Sequence, residues 1–157
     1  MEIENLLEEL EELRISDTLV IRELKISEAE QAFPIISQLR PHLSLDEYIS
    51  TVKLMEDNGY KIICVFGNGK IVSYAGFARL VNLYYGEHIW VYDLITDENE
   101  RSKGYGRLLL AYIEEYAKSN RLNCVALSSG IQREDAHRFY EIAMDYERAS
   151  YVFVKRF

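Results

Sequence analysis

The stretch Arg101-Ser102-Lys103-Gly104-Tyr105-Gly106-Arg107 sets the architecture expected of this chain. It follows an apolar run, His88 to Thr96, that reads as a strand, and the polar loop Asp97 to Lys103. It opens a run in which Leu108, Leu109, Tyr112, Ile113 and Tyr116 recur at helical spacing, so a helix is expected from about Gly104 to Ser119. The start of a helix exposes backbone N–H groups that lack intrahelical partners, and it carries a partial positive charge. Two glycines at that point remove the Cβ atoms that would hold a phosphate away from those donors. Arg101, Lys103 and Arg107 add attraction, and together the seven residues describe a seat for a pyrophosphate. Two better-known seats do not fit. A Walker A loop needs a lysine directly after its last glycine, and neither glycine has one. A dinucleotide fingerprint needs a third glycine where Leu109 stands. What remains is Arg-x-x-Gly-x-Gly after an apolar strand, a pattern that a plain helix-start loop with solvated basic residues also satisfies.

Outward from this loop the periodicity alternates between strand and helix. Toward the C-terminus, Leu122 to Ser128 reads as a strand, Glu134 to Met144 as a helix and Ser150 to Phe157 as a final strand. Toward the N-terminus, Lys61 to Phe66 and Lys70 to about Leu83 flank Gly67-Asn68-Gly69 and read as a hairpin. Two helices precede it. Ser44 with Glu47 has the spacing of a capping box, and Asn58-Gly59 stops that helix; Ser27 with Glu30 has the same spacing, and Pro41 ends the helix it opens. Val20 to Lys25 is a strand. Met1 to Ser16 puts Ile3, Leu6, Leu10 and Leu13 on one stripe with glutamates opposite, an acidic amphipathic helix that packs on its own domain or meets a second copy in a homodimer. With 157 residues and no internal repeat, residues 1–157 read as one continuous α/β domain.

Charge narrows the partners. Asp+Glu number 26 against Lys+Arg 18, and the imbalance sits in residues 1–60, while the basic focus is Arg101, Lys103 and Arg107. An acidic whole with one small basic point disfavours nucleic acid, which needs a broad basic face, but suits a compact anion. No apolar run reaches the roughly 18 residues of a membrane span. The acidic start, Met1-Glu2-Ile3-Glu4, is unlike an export signal, and Cys64 and Cys124 lack metal-ligand spacing. A cytoplasmic protein with two reduced thiols and no metal is expected.

With strand, loop and helix in view, the sequence resembles the GNAT superfamily of acetyl-CoA-dependent N-acetyltransferases. The matching residues run from Ile89-Trp90-Val91-Tyr92-Asp93-Leu94-Ile95-Thr96, through Arg101-x-x-Gly104-x-Gly106, to Ala136-His137-Arg138-Phe139-Tyr140. The resemblance implies a mixed, mostly antiparallel central sheet flanked by helices, with the fourth and fifth strands splayed around the pantetheine arm of acetyl-CoA. It implies that Leu94, Ile95 and Thr96 border that arm, and that Arg101, Ser102, Lys103, Gly104, Tyr105, Gly106 and Arg107 hold the phosphates. It implies no metal. The function that follows is transfer of an acetyl group from acetyl-CoA to a primary amine of a small molecule or peptide; the competing class is a non-catalytic acyl-CoA-binding regulatory module.

Acetyl transfer needs a group to take the amine's proton and a group to protonate the departing thiolate. The resemblance makes Tyr140 the acid, against the reading of a core tyrosine. Asp93 interrupts an apolar run and is the leading base candidate, against the reading of a structural aspartate bonded to its neighbours. His137 and a water relay stand behind it. Two departures from the family pattern touch the acceptor side: Arg133 stands where relatives carry an asparagine, and Met144-Asp145-Tyr146 lacks the usual glycine.

Overall fold

The computed structural model describes residues 10–157. Its strands and helices run β1 (Leu13–Arg14), β2 (Leu19–Leu24), a 3-10 turn (Ile26–Ala32), α1 (Phe33–Leu39), α2 (Leu45–Glu56), β3 (Lys61–Gly67), β4 (Lys70–Asn82), β5 (Gly86–Thr96), α3 (Tyr105–Ser119), β6 (Val125–Leu127) and α4 (Glu134–Arg138), which passes into a π turn (Phe139–Ala143). The strands form one sheet in sequential order, with β1 to β5 antiparallel to their neighbours. At the far edge Asn123 N–H reaches Glu87 O at 2.8 Å and Ile89 N–H reaches Cys124 O at 3.0 Å, numbers rising together as in a parallel pair. Because β1 precedes the expected first strand, the strands counted fourth and fifth from sequence are β5 and β6.

The chain divides into two compact units, one ending at Ala126 and the other Leu127–Phe157. In the first, Ile62 to Phe66 of β3 are five consecutive buried residues, so both faces of the sheet are covered. Cys64, Phe66 and Tyr74 join Leu24, Ile35, Ile36, Tyr48, Val52 and Tyr60 in the core beneath α1 and α2. The amphipathic helix α3 turns Leu109, Leu110, Ile113 and Ala117 inward, and Tyr116 meets Phe77 of β4 edge-on at 5.9 Å. Burying a Leu or Ile side chain contributes about 1.5–3 kcal/mol, so this stripe fixes α3, and hence the loop at its start, to the sheet.

The capping box of α2 forms as its sequence predicts: Ser44 Oγ accepts from Glu47 N–H at 3.2 Å, and Glu47 returns the bond to Ser44 N–H at 2.8 Å. The helix start expected at Ser27 is displaced. Glu28, not Glu30, reaches back to the Lys25 amide at 3.1 Å and opens a 3-10 turn at Ile26, and α1 begins only at Phe33, ahead of Pro34. The final strand expected over Ser150 to Phe157 is not formed; Tyr151, Val152, Phe153 and Val154 are exposed. Alternating β-branched and aromatic residues favour a strand only when a ladder accepts them, and among the described residues no pairing partner takes this segment. The expected N-terminal helix over 1–16 lies, through residue 9, outside the described residues; beyond it Leu13–Arg14 pair with Val20 and Ile21 as a strand edge. The missing glycine is replaced in kind, since Asp145 itself takes φ 60°, the left-handed conformation glycine would supply.

Candidate active site

The basic loop is built by the end of β5 and the start of α3. Asp97 N–H bonds Val72 O at 2.9 Å, where the register of β4 slips against β3. Gln38 of α1 holds the next residues from the other side, donating to Asp97 Oδ1 at 3.2 Å and accepting from Glu98 N–H at 2.9 Å. Ser102 and Gly104 then take φ 65° and 82°. Gly104 is the N-cap of α3, with no side-chain bond closing the helix end, and the first helical hydrogen bond is Leu108 N–H to Gly104 O. A Cβ on Gly104 would meet no protein atom within 4 Å, so the space in front of it is open. Such an end presents main-chain donors to an anion. Arg101 and Arg107 are exposed beside it. Lys103 is ion-paired with Glu100, which raises its pKa through the hydrogen bond and charge of that carboxylate.

Of the residues expected to border a cofactor arm, Ile95 is buried, and Leu94 and Thr96 are half-buried at the end of β5. The Thr96 hydroxyl is within 2.9 Å of Ser73 Oγ, so its side chain is occupied by β4. Upstream lies a bulge: Phe77 pairs with Val91 and Gly76 with Asp93, leaving Tyr92 unmatched. Both Tyr92 and Asp93 then meet Tyr60, the first ring to ring at 5.7 Å and the second by a hydrogen bond from Tyr60 Oη to Oδ2 at 2.7 Å. Arg40, at the end of α1, donates from Nε to Asp93 Oδ1 at 3.0 Å and from Nη2 to Tyr92 O at 3.0 Å. Asp93 is thus held on both carboxylate oxygens.

Tyr140 lies in the second unit, on the π turn, stacked at a tilt between Phe139 (5.4 Å) and Tyr146 (6.2 Å). Burial pushes its phenol above the ordinary range, with Arg133 opposing in part, so it carries its proton at neutral pH. His137 Nε2 is 2.8 Å from Gly130 O. Burial also raises the thiols of Cys64 and Cys124, so neither is a ready thiolate. Among the described residues no group of three His, Cys, Asp or Glu is placed to hold a metal, and no helix is long and apolar enough to cross a membrane.

Sequence reasoning missed Arg40, Tyr60 and Gly76. One signal was available: Gly76 breaks an otherwise apolar strand, the mark of a bulge or of a close approach. A Cβ there would stand 1.8 Å from Tyr60 Oη. The ring of Tyr60 reaches Asp93 only across this glycine.

Residues 21–146 match the model of the acetyltransferase (GNAT) family. Among curated proteins, an uncharacterized N-acetyltransferase of Bacillus subtilis (strain 168) is 38% identical over 126 residues, covering 80% of this chain and 89% of that protein. An aminoalkylphosphonate N-acetyltransferase of Salmonella typhimurium is 30% identical over 89 residues, covering 56% of this chain and 57% of that protein. Among solved structures, an aminoglycoside N-acetyltransferase in complex with CoA superposes with a TM-score of 0.77 at 13% identity, over 92% of this chain and 98% of that one. A ribosomal-protein-alanine N-acetyltransferase of Brucella melitensis biovar Abortus 2308 gives 0.74 at 19% identity, over 88% and 99%.

Proposed function

The chain belongs to the acetyltransferase (GNAT) family, and from that premise we propose that it moves an acetyl group from acetyl-CoA to a primary amine of a small molecule or peptide by direct attack in a ternary complex. The observation that carries this reading is Gly104: a left-handed, uncapped helix start with open space before it, three residues after Arg101. That cradle fits the diphosphate of acetyl-CoA, which a side chain at this position would displace. Arg101, Ser102, Lys103, Gly104, Tyr105, Gly106 and Arg107 would hold the phosphates, and Leu94, Ile95 and Thr96 would border a pantetheine arm that β5 and β6 would splay to admit. The complex of the aminoglycoside N-acetyltransferase with CoA supports the choice of co-substrate.

Acetyl-CoA supplies a thioester whose carbonyl carbon the amine attacks. A C–N bond forms, the C–S bond breaks, and the thiolate takes a proton. Tyr140, kept protonated by its burial, is the proton donor in this reading. The acceptor ammonium must first lose a proton, since an alkyl amine has a pKa near ~10. Asp93, its orientation fixed by Arg40 and Tyr60, is the carboxylate that draws the ammonium in and receives that proton directly or through water. The excess acid of residues 1–60 favours cationic acceptors such as polyamines or lysine-bearing peptides. No thiol is needed as nucleophile, and the two unpaired cysteines accord with work in the cytoplasm.

Free-thiol release from acetyl-CoA, measured over a panel of primary amines, tests the proposal. Amine-dependent release that falls in Tyr140→Phe supports it. Tight coenzyme A binding without release on any amine would make the protein an acyl-CoA-binding module instead.

A further inference from the structure

Three phenols are buried in one line beneath α1 and α2: Tyr48 of α2, Tyr74 of β4, and Tyr60 just before β3, each no more than 3% exposed. Their oxygens are 3.1 Å apart from Tyr48 to Tyr74 and 3.0 Å from Tyr74 to Tyr60, and Tyr60 is 2.7 Å from Asp93 Oδ2. Each phenol has one proton to give. A carboxylate paired with Arg40 can only accept, so the proton of Tyr60 is committed to Asp93. Tyr60 must then accept from Tyr74, and Tyr74, its own proton used, must accept from Tyr48. Burial keeps all three protonated: it pushes Tyr48 up to about 12, and Tyr60 and Tyr74 well above their ordinary range. The bulge at Tyr92 and the bare Cα of Gly76 are what let Tyr60 reach the carboxylate.

We infer that Tyr48, Tyr74 and Tyr60 form a one-way chain of hydrogen-bond donors ending on Asp93, and that with Arg40 they are positioning residues that hold this carboxylate for the acceptor amine. The inference rests on the acetyltransferase reading for the reaction served, but the chain has a signature of its own. In a one-way chain, loss of a donor leaves the bonds downstream of it in place, whereas loss of an acceptor disturbs every bond upstream. Cooperative polarisation along the line makes the effect on Asp93 graded with distance.

The test is proton NMR of the slowly exchanging tyrosine hydroxyls in the full chain, without acetyl-CoA. Tyr48→Phe should remove one resonance and leave those of Tyr60 and Tyr74. In Asp93→Asn, Arg40 keeps the amide oxygen on its side and turns the NH2 toward Tyr60, so the Tyr60 and Tyr74 resonances should both move. Tyr60→Phe keeps the ring that packs over Gly76, so the fold survives, and it should shift both upstream hydroxyls. With an accepted amine, kcat/KM for that amine should fall about tenfold in Tyr60→Phe, about threefold in Tyr74→Phe and less than about twofold in Tyr48→Phe, with KM for acetyl-CoA steady. Resonances that respond equally from either end, or that ignore Asp93→Asn, overturn the chain. Resonances that behave as stated beside kcat/KM values that do not move overturn the positioning role. A parent protein that acetylates no amine counts against the proposed function, and the hydroxyl spectrum still decides the chain.

Discussion

The basic loop and the Asp93 nest are two halves of one proposed site, and they are made in opposite ways. The loop is seven contiguous residues, mostly exposed, whose chemistry belongs to the backbone at a helix start. The nest is three buried phenols, a half-buried Asp93 and a half-exposed Arg40, drawn from the end of α1, α2, the approach to β3, β4 and β5, with Arg40 and Asp93 53 positions apart in the chain and Tyr60 and Asp93 33. The loop depends on what is missing, a Cβ in front of open space. The nest depends on close packing, where a Cβ on Gly76 has no room at all. A glycine therefore does different work in each, and substitution should separate the two.

The largest effect is expected at the loop. Gly104→Val puts a β-branched residue at φ 82° and fills the cradle, so coenzyme A affinity should fall by about 100-fold or more in calorimetric titration. The left-handed backbone should cost folding about 1–2 kcal/mol, but no protein atom lies near the new side chain to clash with it. Gly76→Ala should do the reverse, costing about 2–3 kcal/mol of stability in denaturant melts through overpacking against Tyr60 while coenzyme A still binds. If both variants lose binding and stability alike, the contrast between the two regions fails.

A smaller effect concerns alkaline pH. The Tyr48 phenol is raised to about 12 in the folded protein by burial, against 10.0 for a free one. The folded state therefore holds a proton that the unfolded state has released between those values. That contribution is fully present below pH 10 and drains as pH rises toward 12, at about 1.4 kcal/mol per pH unit for one such phenol. Tyr48→Phe should flatten the fall of stability above pH 10 in denaturant melts repeated across that range; an unchanged slope would mean that Tyr48 ionises freely in the fold. The smallest effect is expected in the second unit: Asp145→Gly, at φ 60°, should raise the midpoint of thermal unfolding through a gain of about 0.5–1 kcal/mol, because glycine occupies this conformation without steric cost.

Local physics was legible in the sequence. The Ser44–Glu47 box, the apolar stripe of α3 and the glycines of the loop each act within a few residues, and each stands where periodicity and end signals place it. Where two nearby carboxylates compete for one helix start, spacing alone misleads, and Glu28 displaces Glu30. Strand propensity misleads over Ser150 to Phe157, because a strand is a pairing and the sequence does not say who pairs. Asp93 stood out as a charge in an apolar run, but its partners could not be named: Tyr60 and Arg40 come to it only once the sheet and the early helices are assembled. Twelve tyrosines in the chain hide the three that matter.

The central claim is that main-chain donors at the start of α3 receive the diphosphate of coenzyme A. Backbone amide NMR of the labelled protein, titrated first with pantetheine and then with coenzyme A, tests it most directly. The account predicts that the amides from Gly104 to Arg107 stay still with pantetheine and move most strongly with coenzyme A. Coenzyme A that binds while those four amides remain unmoved would contradict it.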